Sequence, residues 1–144
     1  MYICINKNEL IVSLSIKKAV QVVVLNEKGN VLCVSRKDNH TDFGLPGGKV
    51  ETGETDVRAA IRELKEETGL DVKNMTLIYA NTMYGMLGYT YFAECTGEIQ
   101  TSEPHVVKWG TFKDLVEGGF GEWNMEVYKV LRKLDIKFKG IIIE

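Results

Sequence analysis

The chain has 144 residues, of which 44% are hydrophobic and 26% charged, and its formal net charge is −2. This length suits one domain with a real core, so we expect a single domain over residues 1–144. The small net charge gives no large basic field, which argues against binding along a polymeric nucleic acid. The small net charge is compatible with a small phosphorylated ligand, because a bound metal ion can supply the positive charge that the phosphates need.

The cysteines are Cys4, Cys33 and Cys95, which lie far apart and are odd in number. This arrangement suits neither a disulfide framework nor a zinc site, so we expect free thiols in a reducing cytoplasm. The segment 1–15 lacks the basic region of a signal peptide, and the longest apolar runs are far too short to span a membrane. We therefore expect a cytoplasmic protein without a membrane segment.

The N-terminal third of the chain predicts strands and a glycine-rich loop. Apolar alternation at Val12–Ile16 indicates an edge strand that runs into a buried strand at Ala19–Leu25. The turn residues Asn26–Asn30 separate it from a strand at Val31–Arg36, so these two strands are predicted to form a hairpin. The loop Lys37–Thr55 contains four glycines and Pro46, as expected where backbone approaches a ligand.

The next segment, 55–68, has helical periodicity. Its predicted apolar stripe consists of Val57, Ala60, Ile61 and Leu64. Thr55 is a suitable N-cap, and Gly69-Leu70 resembles a Schellman C-cap. The helix is therefore bounded at both ends by its own residues.

The remainder of the chain alternates strand and helix patterns. Strands are predicted at 75–80, 89–95 and 106–109, helices at 112–117 and 122–134, and a final strand at 136–143. With no internal repeat and no linker, the organisation is that of one mixed α/β domain.

Three carboxylates on the first predicted helix point to metal chemistry. Glu63 precedes Glu66 by three residues and Glu67 by four, so all three share one side of the helix. Like charges at these spacings repel, and a hard cation such as Mg²⁺ or Mn²⁺ with oxygen ligands is the simplest compensation. Arg62 and Glu54 can form a salt bridge that orients the cluster.

The segment 48–70 resembles the signature of the Nudix hydrolase family. That signature is Gly, five residues, Glu, seven residues, Arg-Glu, an aliphatic, any residue, Glu-Glu, any residue, Gly and an aliphatic. The matching residues are Gly48, Glu54, Arg62, Glu63, Leu64, Glu66, Glu67, Gly69 and Leu70. With average residue usage, the odds of this match by chance are roughly 10⁻⁷.

The resemblance implies an α/β/α sandwich around a mixed β-sheet. It also implies metal-dependent hydrolysis of a pyrophosphate linkage, in a nucleoside triphosphate or a nucleoside diphosphate joined to another group. The implied metal ligands are Glu63, Glu66, Glu67 and the Gly48 carbonyl, and the implied orienting residues are Arg62 and Glu54. Either Glu67 or a loop residue would take the proton from water.

One position departs from the family pattern. Many relatives carry an acidic residue shortly before a tryptophan in the later strand, whereas His105 and Lys108 precede Trp109 here. Glu103 is the nearest acidic substitute. The identity of the base and the number of metals therefore stay open, and we interpret His105 as a strand-edge or turn residue.

Other residues and functions also leave alternatives. The group Tyr84, Tyr89, Tyr91, Phe92 and Trp123 favours core positions over base stacking, while Phe43 suits a core or a substrate contact equally. A catalytically silent Nudix-fold nucleotide-binding or regulatory module is the rival to an enzyme, and intact signature acids argue against it. Messenger caps or dinucleoside polyphosphates would need the same site, and a homodimer is also open.

Overall fold

A computed structural model of the chain describes residues 17–100, 104–138 and 140, which form two β-sheets flanked by helices. The elements in chain order are β1 (Lys17–Val24), β2 (Val31–Ser35), β3 (Phe43–Gly44), β4 (Gly47–Lys49), α1 (Asp56–Thr68), β5 (Asp71–Met83), β6 (Met86–Thr96), β7 (Val107–Gly110), α2 (Phe112–Val116) and α3 (Gly121–Lys133). The predicted strand at Val12–Ile16, together with Cys4 and Glu103, lies outside the described residues.

The larger sheet has four strands in the order β4-β1-β6-β5, and β1 runs parallel to β6 but antiparallel to β4. The smaller sheet has three antiparallel strands in the order β3-β2-β7. The predicted α/β class with a mixed sheet is confirmed, and a second sheet is added to it.

The strand β1 is buried on both faces, which explains its nearly continuous apolar sequence. Val20 and Val22 pack with Ala60 and Leu64 of α1, whereas Val23 packs with residues of α2 and α3 on the opposite face. Helices therefore cover the two faces of β1, and the layers follow the expected α/β/α order.

The predicted hairpin between the first two strands is wrong. The turn at Asn26–Asn30 is present, but β1 and β2 belong to different sheets, and the strand pairing next to the turn is one isolated bridge, between Leu25 and Val31. Both edges of β1 are already hydrogen-bonded, to β4 and to β6. Because no edge of β1 is left for β2, the chain crosses into the second sheet.

The predicted apolar stripe of α1 is rotated relative to the observed buried face. Ala59, Ala60 and Leu64 are fully buried, whereas Val57 and Ile61 remain 45% and 40% exposed. Small alanines let the helix lie close to the sheet. Since Glu67 continues the same buried face, this rotation brings a carboxylate into the protein interior.

The two ends of α1 follow the sequence prediction, with one change at the C-terminus. The Thr55 side chain accepts a hydrogen bond from the Arg58 N–H at 3.2 Å. Gly69 adopts a φ of 79°, and its N–H donates to the Lys65 carbonyl at 2.9 Å. The Leu70 N–H bonds the Thr68 hydroxyl, so the cap has the single-bond αL form and the Schellman prediction is wrong.

The later elements are found at the predicted positions, but β5 and β6 are longer than expected. A two-residue turn joins them, in which Tyr84 and Gly85 both have positive φ, of 55° and 73°. Residues 136–138 do not form the predicted final strand, and the rest of that segment is described only at residue 140. No helix among the described residues is long and apolar enough to cross a membrane.

Candidate active site

The glycine-rich segment before α1 is anchored as a short strand. Gly48 pairs with Val20 and Gly47 with Gln21, across the antiparallel β4–β1 ladder. The chain then turns through 50–55 into α1. Because both β4 and α1 pack against β1, the glycine backbone is held beside the C-terminal half of the helix, where Glu63 and Glu67 lie.

Gly48 lies directly against the carboxylate of Glu63. A Cβ atom at Gly48 would stand 2.5 Å from both Glu63 Cδ and Glu63 Oε1, far inside van der Waals contact. The absence of a side chain therefore lets a carboxylate and a backbone peptide share one small space. The approach of this backbone to a ligand, which the glycines of the loop led us to expect, stays a prediction.

Arg62 links the residues of the signature. Its Nε and Nη2 donate to the two oxygens of Glu54 at 2.7 and 3.0 Å, and Nη2 also reaches the Lys49 carbonyl at 3.2 Å. Its Nη1 donates to Glu63 at 2.9 Å and to Glu66 at 3.3 Å. The salt bridge predicted between Arg62 and Glu54 is therefore present, with paired geometry, while the orienting role of Arg62 stays a prediction.

These contacts shift the ionisation of both partners. Hydrogen bonds from Arg62 are the main reason that the pKa of Glu54 lies below its ordinary value, and the Glu51 N–H adds to the effect. The same contact with Glu54, followed by that with Glu63, raises the pKa of Arg62. The carboxylate and the guanidinium therefore both remain charged at neutral pH.

Glu67 is the most enclosed of the signature acids, with 8% of its surface exposed. Its Oε1 accepts a hydrogen bond from the Gly47 N–H at 2.7 Å, and its Oε2 lies 3.9 Å from His105 Nε2. A buried carboxylate that faces the glycine strand and an imidazole is in a position to interact with a proton or a cation.

His105 was missed as a site residue by the sequence analysis. Its Nδ1 lies 2.8 Å from the Ser35 carbonyl oxygen, which can only accept, so Nδ1 carries the proton and Nε2 faces Glu67. The signal available in the sequence was its position before Trp109, where relatives place an acid. The pairing of β2 with β7 brings it across the fold to Glu67.

A divalent cation would find suitable donors at this site. Glu63, Glu66 and Glu67 supply carboxylate oxygens, and the space that a Cβ would fill at Gly48 brings its peptide against Glu63. As the side chains stand, no three His, Cys, Asp or Glu residues within the described ranges converge at metal-binding spacing. Arg62 holds Glu63 and Glu66, and Gly47 holds Glu67, so protein donors compensate the like charges.

Two concave regions adjoin these residues. A crevice of about 280 Å³ is lined by Arg36, Phe43, Glu67 and His105. The Lys108 ammonium lies over the face of the Phe43 ring, 4.1 Å from the ring centroid. A second cavity, of about 260 Å³, begins at Gly47 and Gly48 and extends toward α3.

The aromatic residues divide between core and surface. Tyr91 and Trp123 are buried, with 7% and 4% of their surfaces exposed, so the core interpretation holds for them. Tyr84 is 47% exposed, and the core interpretation is wrong there because the β5–β6 turn carries its side chain to the surface. Cys33 and Cys95 are free thiols, and burial raises the pKa of Cys33 to about 12.

Several known proteins are similar to this chain. The family model described as NUDIX domain matches residues 16–133. A MutT-like protein of Streptomyces ambofaciens is 35% identical over 103 residues, covering 69% of this chain and 66% of the relative. An ADP-ribose pyrophosphatase of Methanocaldococcus jannaschii is 47% identical over 68 residues, covering 44% of this chain and 40% of the relative.

The matched segments thus span less than two thirds of these relatives' own lengths. Among solved structures, one from a study of MutT from Aliivibrio salmonicida and Vibrio cholerae superposes with a TM-score of 0.68. It is 25% identical, and the match covers 81% of this chain and 98% of that one. Since the family model spans both the signature helix and the strands that position it, the chain belongs to the NUDIX domain family.

Proposed function

We propose that this protein hydrolyses a pyrophosphate linkage in a small nucleotide-like substrate, with Mg²⁺ or Mn²⁺ as cofactor. The substrate class is a nucleoside triphosphate, or a nucleoside diphosphate joined to another group. The observation that carries the proposal is the set of acids that Arg62 holds in place. These acids lie beside the glycine strand, which borders two cavities. The relative from Methanocaldococcus jannaschii is named an ADP-ribose pyrophosphatase, and ADP-ribose is a nucleoside diphosphate joined to another group.

The proposed metal ligands are Glu63, Glu66, Glu67 and the Gly48 carbonyl. Their chemistry fits, because carboxylate and carbonyl oxygens are what hard cations bind. When bound, the cation would neutralise charge on the phosphate oxygens and make the attacking water more acidic. Arg62 and Glu54 would keep the acids oriented, as supporting residues commonly do around metal ligands.

Glu67 is the proposed proton acceptor. It is buried, it accepts from the Gly47 N–H, and it lies at the crevice lined by His105. Because the Glu67 carboxylate is little exposed, bulk water competes less for hydrogen bonds to its oxygens. A nucleophilic enzyme side chain has less support, because the signature segment contains neither serine nor cysteine. Direct attack of water on phosphorus is therefore the proposed reaction.

The rival function is a catalytically silent binding module. That alternative predicts nucleotide binding without turnover, whereas an enzyme needs the acids that this chain retains. Messenger caps and dinucleoside polyphosphates contain the same linkage and are included as substrates to test. A cytoplasmic location follows from the cysteine composition alone and stays a prediction, as does a homodimer.

A substrate panel with Mg²⁺ tests the proposal. The panel contains nucleoside triphosphates, ADP-ribose and other nucleoside diphosphate conjugates, cap analogues and dinucleoside polyphosphates, and products are separated by anion-exchange chromatography. Hydrolysis in ¹⁸O-labelled water should place the label in one phosphate product within a single turnover. Binding of a panel member without any turnover would favour the rival module, and label found first on the protein would exclude direct attack.

A further inference from the structure

The imidazole of His105 is fixed by the strand pairing beside it. The Ser35 N–H donates to the Val106 carbonyl at 2.8 Å, and the Val106 N–H donates to the Ser35 hydroxyl oxygen at 2.9 Å. The Ser35 carbonyl accepts the Nδ1–H of His105 at 2.8 Å. Because Ser35 is buried, turning the ring would break a hydrogen bond to a residue inside the protein. The direction of Nε2 is therefore set by the pairing of β2 with β7.

The Glu67 carboxylate is fixed from the opposite side of the gap. It belongs to the last turn of α1, and its Oε1 accepts from the Gly47 N–H at 2.7 Å. Gly47 is itself paired with Gln21 in the β4–β1 ladder, so this carboxylate is tied to the larger sheet. Its second oxygen, Oε2, lies 3.9 Å from His105 Nε2, and both side chains are about nine-tenths buried. Two donors held by different sheets thus face one another.

The gap between Nε2 and Oε2 suits a metal ion. Two donors that lie about 2.0–2.1 Å from one ion stand about 2.9–3.4 Å apart in octahedral or tetrahedral coordination. The observed 3.9 Å therefore reaches a ligand spacing when the side chains move by only about 0.5–1 Å. In the neutral ring, whose proton is on Nδ1, Nε2 presents a lone pair to the carboxylate. A cation between two such acceptors satisfies both.

The support of His105 is of the kind that metal-binding histidines have. Such histidines bind the ion through one ring nitrogen and donate the other N–H to a carbonyl or carboxylate, which fixes the tautomer and the direction of the ring. His105 makes this contact with the Ser35 carbonyl. The crevice of about 280 Å³ that His105 and Glu67 both line gives an ion access to the pair.

Arg36 is a cationic residue that lines the same crevice. Its Nε lies 3.1 Å from an oxygen of Asp38 and 4.0 Å from an oxygen of Asp42. These carboxylates balance the guanidinium charge, so Arg36 does not make the crevice unfavourable for a second cation.

We propose that His105 Nε2 and Glu67 Oε2 together bind a transition-metal dication, and that the imidazole makes this site favour such an ion over Mg²⁺. The ligands proposed above are all oxygens, which suit Mg²⁺, whereas imidazole nitrogen suits Zn²⁺, Co²⁺ and similar ions. No third His, Cys, Asp or Glu converges on the pair among the residues that the structure describes, so the ion keeps positions for water or phosphate oxygens. The inference deepens the proposed function, on which it rests for the role of the ion in hydrolysis.

The ring nitrogens report binding directly. The chain has two histidines, so a long-range ¹H–¹⁵N spectrum of the labelled, metal-free full chain resolves both rings, and His40→Gln assigns them. Titration with Zn²⁺ should shift the His105 Nε2 resonance while Nδ1 keeps its proton. Mg²⁺ should leave that resonance in place, and Zn²⁺ at the same concentrations should leave the His40 ring in place. A His105 Nε2 that does not respond to Zn²⁺, or that carries a proton throughout the titration, would overturn the proposal and leave an ion pair with Glu67.

Variants of the two donors test the preference for the ion. Calorimetry gives the affinities for Co²⁺ and Mg²⁺, and the visible absorption of bound Co²⁺ reports its ligands. His105→Gln should weaken Co²⁺ binding by about tenfold or more and Mg²⁺ binding much less. Glu67→Gln should weaken the binding of both ions, because its oxygen serves either. His40→Gln, at the exposed histidine, is the matched control and should keep both affinities.

His105→Asp exchanges the nitrogen donor for an oxygen donor. The ratio of Co²⁺ affinity to Mg²⁺ affinity should therefore fall, while Mg²⁺ binding is kept or improved. If the additional buried acid impairs folding, His105→Gln decides the question. A Co²⁺/Mg²⁺ ratio that stays at the wild-type value in a folded His105 variant would contradict the proposal.

Turnover separates this inference from the proposed function. Co²⁺ should support hydrolysis at a lower concentration than Mg²⁺, and His105→Gln should raise the Co²⁺ requirement more than the Mg²⁺ requirement. Hydrolysis with Mg²⁺, together with a His105 Nε2 resonance that ignores Zn²⁺, would refute this inference alone. Zn²⁺ binding at His105 without hydrolysis of any panel substrate would count against the proposed function and leave the metal site standing.

Discussion

Arg62 holds Glu54 through two parallel hydrogen bonds, from Nε at 2.7 Å and from Nη2 at 3.0 Å. A guanidinium fork makes this pairing, and an ammonium group does not, although both carry one positive charge. The relationship connects the loop before α1 to the helix that carries the proposed metal ligands. Loss of the Arg62–Glu54 pairing should therefore change the Mg²⁺ dependence of the rate as well as the overall activity.

We expect Arg62→Lys to lower kcat/KM by about 10- to 100-fold and to raise the Mg²⁺ concentration needed for half-maximal rate. The reason is that lysine cannot hold Glu54 while also contacting Glu63 and Glu66. Steady-state kinetics across a Mg²⁺ series measures both effects. Arg58→Lys, on an exposed position of the same helix, is the matched control and should behave as wild type. A wild-type Mg²⁺ profile for Arg62→Lys would contradict the orienting role.

Gly48→Ala should abolish most activity, because the new Cβ would collide with the Glu63 carboxylate and displace it. We expect at least a tenfold loss in kcat/KM, as for a misplaced group at the reacting centre. The control is Gly97→Ala, where nothing stands within 4 Å but φ is 97°. That variant should lose about 1–2 kcal/mol of stability to strain and keep its activity. Similar kinetics for both variants would show that the close approach at Gly48 is unimportant.

Removal of divalent metal should silence the protein, because the proposed reaction relies on the cation to neutralise the phosphate oxygens and to make the attacking water more acidic. The measurement is initial rate after dialysis against EDTA, followed by titration with Mg²⁺ or Mn²⁺. Recovery of the rate with either ion is the expected result. Full turnover in excess chelator, after metal analysis of the sample, would exclude metal dependence.

Glu66→Gln and Glu67→Gln should each reduce the rate by about 100-fold or more, since glutamine keeps the shape but removes a ligand or a proton acceptor. The two variants should differ in stability. The Glu66 side chain is about half exposed, whereas Glu67 is buried and accepts from the Gly47 N–H, so only Glu67→Gln should shift the melting temperature measurably. Glu98→Gln, at an exposed loop position, serves as the control. Near wild-type turnover in both site variants would place the chemistry elsewhere.

Cys33 should make the protein less stable at alkaline pH. Burial is the main reason that its pKa rises from 9.0 to about 12, so the folded state keeps the neutral thiol. The stabilisation is complete below pH 9 and is lost as pH rises toward 12, because the unfolded chain ionises first. Above pH 9 the free energy of unfolding should fall by up to about 1.4 kcal/mol per pH unit from this group. Urea unfolding under reducing conditions measures this.

Cys33→Ala is the reference for that measurement. The variant should be less stable at pH 7, because it leaves a cavity where Cys33 is fully buried. The stability gap between wild type and the variant should then narrow between pH 9 and pH 11, since only the wild type can lose the thiol contribution. A constant gap over this range would show that Cys33 does not control the alkaline behaviour.

Local sequence patterns predicted α1 and both of its boundaries, because capping and periodicity depend on residues within a few positions of one another. The same holds for the strand cores and for α3. Strand partners could not be obtained in this way. The β1–β2 hairpin was wrong because β4 and β6, which come later in the chain, occupy both edges of β1. The short connection between β1 and β2 favoured a hairpin in the sequence-based prediction. In the fold, β1 pairs instead with two strands that are more distant in the sequence, β4 and β6.

The spacing of Glu63, Glu66 and Glu67 predicted by itself that these acids share one side of α1, because helix geometry places such residues together whatever surrounds them. Gly48 was added by the resemblance to the family signature. Only the tertiary structure decided that Glu67 is buried and that His105 faces it. Contacts of this kind join residues tens of positions apart. They depend on how sheets and helices pack, which short-range periodicity does not encode.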